Sequence, residues 1–196
     1  MSPEAPRPRV VIAEDEAIIR LDLKELLEEE GYTVVGETGR GDEAIELVRE
    51  LVPDLAILDV KMPGLDGLSA ARHIAGERLA AVLILTAFSQ RDLVEQARDA
   101  GALAYLVKPF QKGDLIPAIE VALARHAELT SLERNVVDLE ERLEARKLID
   151  RAKGRLMDDH ELDEKSAWRF IQTQAMNNRV KVGEIAKRVL DGDLVP

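Results

Sequence analysis

Polar side chains follow four of the apolar runs in the N-terminal part of the chain, and together they could transfer a phosphoryl group. They are the pair Glu14 and Asp15, then Asp59, Thr86 and Lys108. Carboxylates gathered at one site repel one another, and a hard divalent cation such as Mg²⁺, which prefers carboxylate and water oxygens, relieves that repulsion. A nucleophilic carboxylate beside such a cation, with a hydroxyl and an ammonium group to hold the incoming oxygens, is sufficient for phosphoryl transfer.

These residues meet only if the chain places them at one edge of a sheet. Short apolar runs alternate with amphipathic stretches through the first 125 residues, which indicates a parallel sheet covered by helices on both faces. Such sheets bind ligands beyond the carboxyl ends of their strands. Alone, Asp15 would be an ordinary helix N-cap, Thr86 a strand end and Lys108 a solvated side chain, but four polar strand ends favour a common site. The expected strands are Arg9–Ala13, Tyr32–Gly36, Leu55–Leu58, Ala81–Leu85 and Ala104–Val107, and the expected helices are Ala17–Glu30, Asp42–Leu51, Asp66–Ala75, Gln90–Ala100 and Asp114–Arg125.

Four stretches resemble the receiver domain family of two-component response regulators, over about residues 8–125. They are Val11-Ile-Ala-Glu-Asp15, Leu58-Asp-Val-Lys-Met-Pro-Gly-Leu-Asp-Gly67, Leu85-Thr-Ala87 and Tyr105-Leu-Val-Lys-Pro-Phe110. The resemblance implies a flavodoxin-like (βα)5 fold, a cis Lys108–Pro109 bond and a sensor histidine kinase as phosphoryl donor. Because no glycine-rich loop that could hold a nucleotide is apparent, we expect a switch rather than a turnover enzyme.

The same resemblance assigns a role to each polar strand end. Asp59 would accept the phosphoryl group, and Lys108 would pair with it. Thr86 would move to meet a phosphoryl oxygen, and Tyr105 would rotate inward to fill the space. Mg²⁺ would be bound by four residues, namely Asp59, Asp15 directly, Lys61 through its backbone carbonyl and Glu14 through water.

The composition changes after Arg125. Residues 127–147 contain no Gly and no Pro, and apolar residues recur at spacings of three and four, which predicts one long helix with an a/d seam. The seam could fold back on its own chain or form a dimeric coiled coil, so a phosphorylation-dependent homodimer is one expected partnership. Three further helices, Leu148–Met157, Glu164–Met176 and Val182–Leu190, predict a small bundle. The seam residues are Leu129, Leu132, Val136, Leu139 and Leu143.

Charge separates the two parts of the chain. The whole chain carries a net charge of −11, whereas residues 1–146 carry −12 and residues 147–190 carry +3. Basic groups beside an aromatic ring suit unpaired RNA bases, and Trp168 lies among them. The alternatives are a solvated basic helix face and a bundle core built around Trp168. Gly154 weakens a helix by about 1 kcal/mol relative to Ala, which suggests close approach of another backbone or of a ligand.

The C-terminal stretch resembles the ANTAR family of RNA-binding antitermination domains, over about residues 130–190. The most specific element is Ala152-Lys-Gly154 followed by Leu156-Met157, with Ala167-Trp168 and Ala175-Met176 further on. The resemblance implies binding to RNA hairpins in nascent transcripts. Such binding would disfavour formation of a transcription terminator in the same transcript. The sequence departs from the family at Trp168, where Phe is more frequent, and at Arg155, where an apolar residue is frequent. The residues expected to contact RNA are Arg151, Lys153, Gly154, Trp168 and Arg179.

Two other outputs compete with RNA binding. The bundle could be a protein-interaction or dimerisation module controlled by the receiver, without any nucleic-acid role. DNA binding is less favoured, because no helix-turn-helix pair with a Gly turn and a polar recognition helix is apparent.

Bulk composition limits the class of protein further. With 196 residues and a hydrophobic fraction of 46%, the chain can bury a core, and we expect a receiver over residues 1–126 and a coiled-coil helix with an ANTAR domain over 127–196. There are no cysteines, and no apolar run approaches the roughly 20 residues that cross a bilayer. Met1–Pro8 is expected to be a short disordered lead without a signal sequence. We therefore expect a cytoplasmic protein with no membrane partner.

Overall fold

A computed structural model describes residues 7–87 and 91–196, leaving aside the side chains of residues 91, 93, 137 and 138. Most of the expected lead, Met1–Pro8, and the expected start of the fourth helix at Gln90 lie outside the described residues. The chain divides into two units, Met1–Thr130 and Ser131–Pro196. The domain boundary expected after residue 126 stays a prediction.

The first unit contains five strands: β1 (Arg9–Ala13), β2 (Thr33–Thr38), β3 (Leu55–Asp59), β4 (Ala81–Thr86) and β5 (Ala104–Val107). All pairings are parallel, and the strand order is β2-β1-β3-β4-β5. This is the order of flavodoxin-like folds, so the predicted fold class is confirmed. The strands β3 and β4 are buried throughout, because helices cover both faces of the sheet.

Two apolar layers cover the faces of the sheet, since successive side chains of a strand point to opposite sides. One layer contains Val11, Ala56 and Ile84 of the strands. The other contains Ile12 and Ile57. The helices that cover the sheet are α1 (Ala17–Glu29), α2 (Gly41–Leu51), α3 (Gly67–Gly76), α4 (Arg91–Asp99) and the first part of α5 (Lys112–His160). The second unit adds α6 (Glu164–Asn178) and α7 (Val182–Asp191).

The long helix α5 corrects two expected boundaries. It runs through 49 residues, so the fifth helix does not end at Arg125 and Leu148–Met157 is not a separate helix. The physical reason is the absence of a strong breaker after Pro117, because Gly154 alone costs a helix only about 1 kcal/mol. Leu115 and Ala122 of this helix are buried against the sheet. The later seam residues are exposed, namely Leu132 (54%), Val136 (54%), Leu139 (63%) and Leu143 (55%). Among the described residues, these four side chains are therefore left largely uncovered.

The second unit is a small three-helix bundle made by the end of α5 with α6 and α7. Its core contains Leu156, Ile171 and Ile185, all fully buried. The helix α6 begins where the side chain of Asp163 accepts a hydrogen bond from the backbone N–H of Ser166, at 2.9 Å. Trp168 is only partly buried and is absent from this core, so the alternative of a bundle built around Trp168 is wrong. Within the described ranges, no helix combines the length and apolar composition needed to span a bilayer.

Candidate functional site

The carboxyl ends of three neighbouring strands bring the predicted carboxylates together. Glu14 and Asp15 follow β1, Asp59 ends β3, and Thr86 ends β4. Glu14 is fully buried, Asp59 and Thr86 are almost so, and Asp15 is exposed to solvent. The parallel pairing of β3 with both neighbours fixes this arrangement, because equivalent strand ends share one edge.

Lys108 connects the buried carboxylates. Its Nζ lies 2.8 Å from Asp59 Oδ1 and 2.5 Å from Glu14 Oε2. Burial lowers the pKa of Lys108, but hydrogen bonds to Asp59 and Glu14 outweigh burial and leave that pKa above its ordinary value. Burial raises the pKa of Glu14, and the hydrogen bond from Lys108 opposes that rise. Lys108 therefore stays positively charged at neutral pH beside the candidate phosphoryl acceptor.

The other oxygen of Asp59 is held by the backbone. The N–H of Lys61 donates to Asp59 Oδ2 at 3.0 Å, so both carboxylate oxygens are oriented. A cavity of about 180 Å³ opens on this carboxylate. Its lining includes the predicted residues Asp15, Asp59, Lys61, Thr86 and Lys108, together with Glu16, Val60 and Ala87.

The carboxylates also fit a hard divalent cation. One oxygen from each of Glu14, Asp15 and Asp59 can be chosen so that all three lie within 4.8 Å of one another. Carboxylate oxygens at such separations suit Mg²⁺, which binds one or two carboxylates and keeps several waters. The exposed position of Asp15 leaves room for those waters, whereas Glu14 is enclosed and bonded to Lys108.

Comparison with known proteins identifies the family. Residues 10–120 match the response regulator receiver domain, and residues 137–190 match the ANTAR domain. The chain is 58% identical to the transcriptional regulatory protein PdtaR of Mycobacterium tuberculosis, over 93% of this chain and 89% of that protein. The chain belongs to the receiver–ANTAR response regulators.

Two further proteins match the receiver part of this response regulator. The chemotaxis protein CheY of Thermotoga maritima is 37% identical over 57% of this chain and 93% of its own. The signal receiver domain of the putative response regulator NarL from Mycobacterium tuberculosis superposes with a TM-score of 0.58 at 30% identity. That match covers 60% of this chain and 97% of the NarL domain. The Asp59 cavity therefore lies in a receiver domain, the domain through which response regulators take part in two-component signalling.

Two receiver residues of this response regulator lie at the margin of the site. The side chain of Tyr105 is 46% exposed on β5 and does not line the Asp59 cavity, so the expected inward rotation stays a prediction. The Lys108–Pro109 peptide bond is cis, as the family resemblance implies. Glu16 is the acidic cavity residue that the sequence analysis missed, and its position directly after the acidic pair was the available signal.

The expected RNA-contacting residues of the ANTAR domain differ in exposure and surroundings. Arg151 and Arg179 are exposed, and a Cβ at Gly154 would meet nothing within 4 Å. Gly154 therefore does not serve a close approach within the described chain. Lys153 and Trp168 line one groove, of about 900 Å³, between α5 and the start of α6. We call it the Trp168 groove, and its basic and aromatic lining is Arg142, Arg146, Lys153, Lys165 and Trp168.

Proposed function

We propose that a sensor histidine kinase phosphorylates Asp59, and that this switches the ANTAR domain to bind RNA hairpins in nascent cytoplasmic transcripts and to prevent termination. Membership of the receiver–ANTAR family supports a two-component regulator with an antitermination-type role. The observation that carries the receiver part of the proposal is the oriented Asp59 carboxylate, which faces a small cavity beside the Lys108 ammonium.

The Asp59 carboxylate would be the nucleophile in phosphoryl transfer. A carboxylate oxygen of Asp59 forms the new O–P bond, the N–P bond of the donor phosphohistidine breaks, and the imidazole of the donor takes up a proton. The phosphoryl oxygens would add negative charge to a site that already holds the carboxylates of Glu14 and Asp59. The Lys108 ammonium offsets part of that charge. Mg²⁺, when bound, supplies further charge neutralisation of those oxygens. The hydroxyl of Thr86 would then move to meet a phosphoryl oxygen, and the ring of Tyr105 would rotate inward to fill the space.

We expect Mg²⁺ affinity to depend more on Asp15 than on Glu14. Asp15 is exposed and faces the cavity, whereas Glu14 already shares a buried ion pair with Lys108. Asp15→Asn should weaken Mg²⁺ binding by about tenfold, since it removes one of few charged ligands. Titration of Mg²⁺ followed by NMR checks this, with Glu43→Gln in α2 as the acidic control variant. Equal affinities in Asp15→Asn and wild type would contradict the assignment.

The output step is tested by RNA binding with and without a small phosphodonor. RNA carrying two hairpins should bind the phosphorylated protein about tenfold or more tightly than the unphosphorylated protein. The gain has a physical limit, because it cannot exceed the few kcal/mol that separate the two receiver states. Filter binding against duplex DNA of equal length is the control. If neither state prefers the RNA, the antitermination function fails, and the protein-interaction module becomes the better account.

A homodimer through the exposed seam would let two ANTAR domains engage two hairpins. The four exposed apolar side chains from Leu132 to Leu143 have no cover in the described chain, and two linked sites raise overall affinity through effective concentration. In a parallel dimer with Leu129, Val136 and Leu143 at the a positions, the flanking e and g positions meet across the interface.

Those flanking positions carry like charges. Glu128 of one helix would face Glu133 of the other, and Arg142 would face Lys147. Like charges across a coiled coil oppose association. The seam alone should therefore dimerise weakly, and an additional contribution from the phosphorylated receivers would be needed.

Two opposite changes test the seam. Glu128→Lys should strengthen dimerisation by about two- to tenfold, because two repulsions across the symmetric interface become attractions of a few tenths of a kcal/mol each. Leu139→Asp should weaken it, without unfolding the monomer, since Leu139 is 63% exposed. Analytical ultracentrifugation with and without phosphodonor measures both. A dimer that is unaffected by either change would place the interface elsewhere.

A further inference from the structure

The acidic side chains of the Trp168 groove are already engaged. Asp150 Oδ1 and Glu164 Oε1 lie 3.0 Å and 2.8 Å from Lys153 Nζ. The carboxylate of Asp163 caps α6 through the N–H of Ser166. Lys153, in turn, is mostly covered by this pairing, with 18% of its side chain exposed. Lys153 thus fastens the first turn of α6 to α5, which makes it a positioning residue for the groove.

Three other cations of the groove are uncompensated. Arg142, Arg146 and Lys165 are exposed, and none of them makes a hydrogen bond or ion pair with the part of the chain that the structure describes. Arg142 and Arg146 are four residues apart and lie on one face of α5. The groove lining therefore carries four cations against three carboxylates, a net charge of +1, and its three unpaired cations are open to an occupant.

The apolar part of the groove is built around an indole. Trp168 is partly buried, remains outside the bundle core and lies with Ala145 and Ile149 in the groove lining. A ring with an accessible face can stack on a nucleobase, which is worth about 1–3 kcal/mol per base. An occupant with both an aromatic ring and negative charge could stack on the indole and pair with the cations at the same time.

We infer that the Trp168 groove seats one unpaired nucleotide of an RNA loop. The base stacks on the indole of Trp168, and the adjoining phosphates contact Arg142, Arg146 and Lys165. This inference rests on the proposed RNA-binding function and specifies where a loop base is held. It assigns phosphate contacts to three cations outside the expected RNA-contacting set and removes Lys153 from direct contact. Charge complementarity favours this occupant over an apolar partner helix, which would leave three cations unpaired.

The test uses the intrinsic fluorescence of full-length protein, because Trp168 is the only tryptophan in the chain. The probes are an RNA hairpin library with a randomised loop, the same stem as a blunt duplex, and nucleoside 5′-monophosphates. Fluorescence anisotropy of labelled RNA reports affinity separately. The variants are Trp168→Phe, Trp168→Leu, Arg142→Ala, Arg146→Ala and Lys165→Ala. Lys187→Ala, an exposed cation on α7 outside the groove, is the matched control.

The looped hairpins should quench Trp168 emission and the blunt duplex should not. Trp168→Leu should weaken hairpin binding by roughly tenfold to a hundredfold, the equivalent of one lost base stack, whereas Trp168→Phe should largely retain it. Each groove cation removed should lower the salt-dependence slope by about 0.7, as expected for one single-strand phosphate contact. Lys187→Ala should leave affinity and quenching within about twofold of wild type, since it removes only distant charge.

Three outcomes would overturn the inference. Hairpins could bind with unchanged Trp168 emission and with equal affinity for Trp168→Leu, in which case RNA binding survives and the groove assignment fails. Quenching by mononucleotides, with no greater affinity for looped hairpins, would make a free nucleotide the occupant. If no RNA binds to the wild type at all, the proposed function fails as well. Circular dichroism of each variant establishes that the helices are retained, which is expected because Trp168 is outside the core.

Discussion

Asp59→Asn should abolish phosphorylation of the full-length protein by a small phosphodonor in the presence of Mg²⁺. The amide nitrogen and oxygen of Asn are poor nucleophiles compared with a carboxylate oriented beside an ammonium group. The folded structure should persist, because Asn is nearly the same shape and its oxygen can still accept the hydrogen bond from the N–H of Lys61. Intact mass should therefore show a phosphate adduct on wild type and none above background on the variant.

Asp54→Asn is the matched control for this experiment. Asp54 directly precedes β3, at the end of the strand opposite Asp59, and its carboxylate accepts a hydrogen bond from the backbone N–H of Arg9. The control variant should be phosphorylated like wild type. The increase in RNA affinity with phosphodonor should disappear in Asp59→Asn and remain in Asp54→Asn. An adduct of undiminished yield on Asp59→Asn would exclude Asp59 as the sole acceptor.

Gly67→Ala should destabilise the receiver by about 3 kcal/mol or more, the range of severe overpacking. A Cβ at this position would lie 1.9 Å from the backbone oxygen and 2.8 Å from the carbonyl carbon of Asp59. Neither atom is at the end of a flexible side chain, so the start of α3 or the end of β3 must shift. Because Asp59 is the candidate acceptor, phosphorylation should fall together with stability.

Gly76→Ala supplies the contrast within the same helix. A Cβ at Gly76 would meet nothing within 4 Å, and Ala is favoured over Gly in helices by about 1 kcal/mol at most. This variant should be as stable as wild type or slightly more stable. Hydrogen exchange measured by mass spectrometry follows peptides of the receiver, while Trp168 fluorescence follows the second unit. Equal stability of the receiver in Gly67→Ala and Gly76→Ala would contradict the predicted clash.

The sequence by itself determined the fold class, the set of polar strand ends and the presence of a long helix, although not the bounds of that helix. Short apolar runs at regular spacing specify parallel strands locally, and the strand ends place Glu14, Asp59 and Thr86 at one edge whatever the details of packing. The a/d spacing likewise predicted the seam, because helix periodicity depends only on residues near in sequence.

Tertiary structure alone decided which partner each of these residues has. The pairing of Lys108 with Glu14 joins residues 94 positions apart, and the near contact of Gly67 with the Asp59 carbonyl depends on how α3 begins. It also decided that Lys153 is held by Asp150 and Glu164, and that Trp168 lies in a groove rather than in the bundle core. Local sequence patterns predict which side chains lie on one face or at one end of an element. They do not predict the distances between side chains of different elements, because periodicity carries no information about the surface against which an element packs.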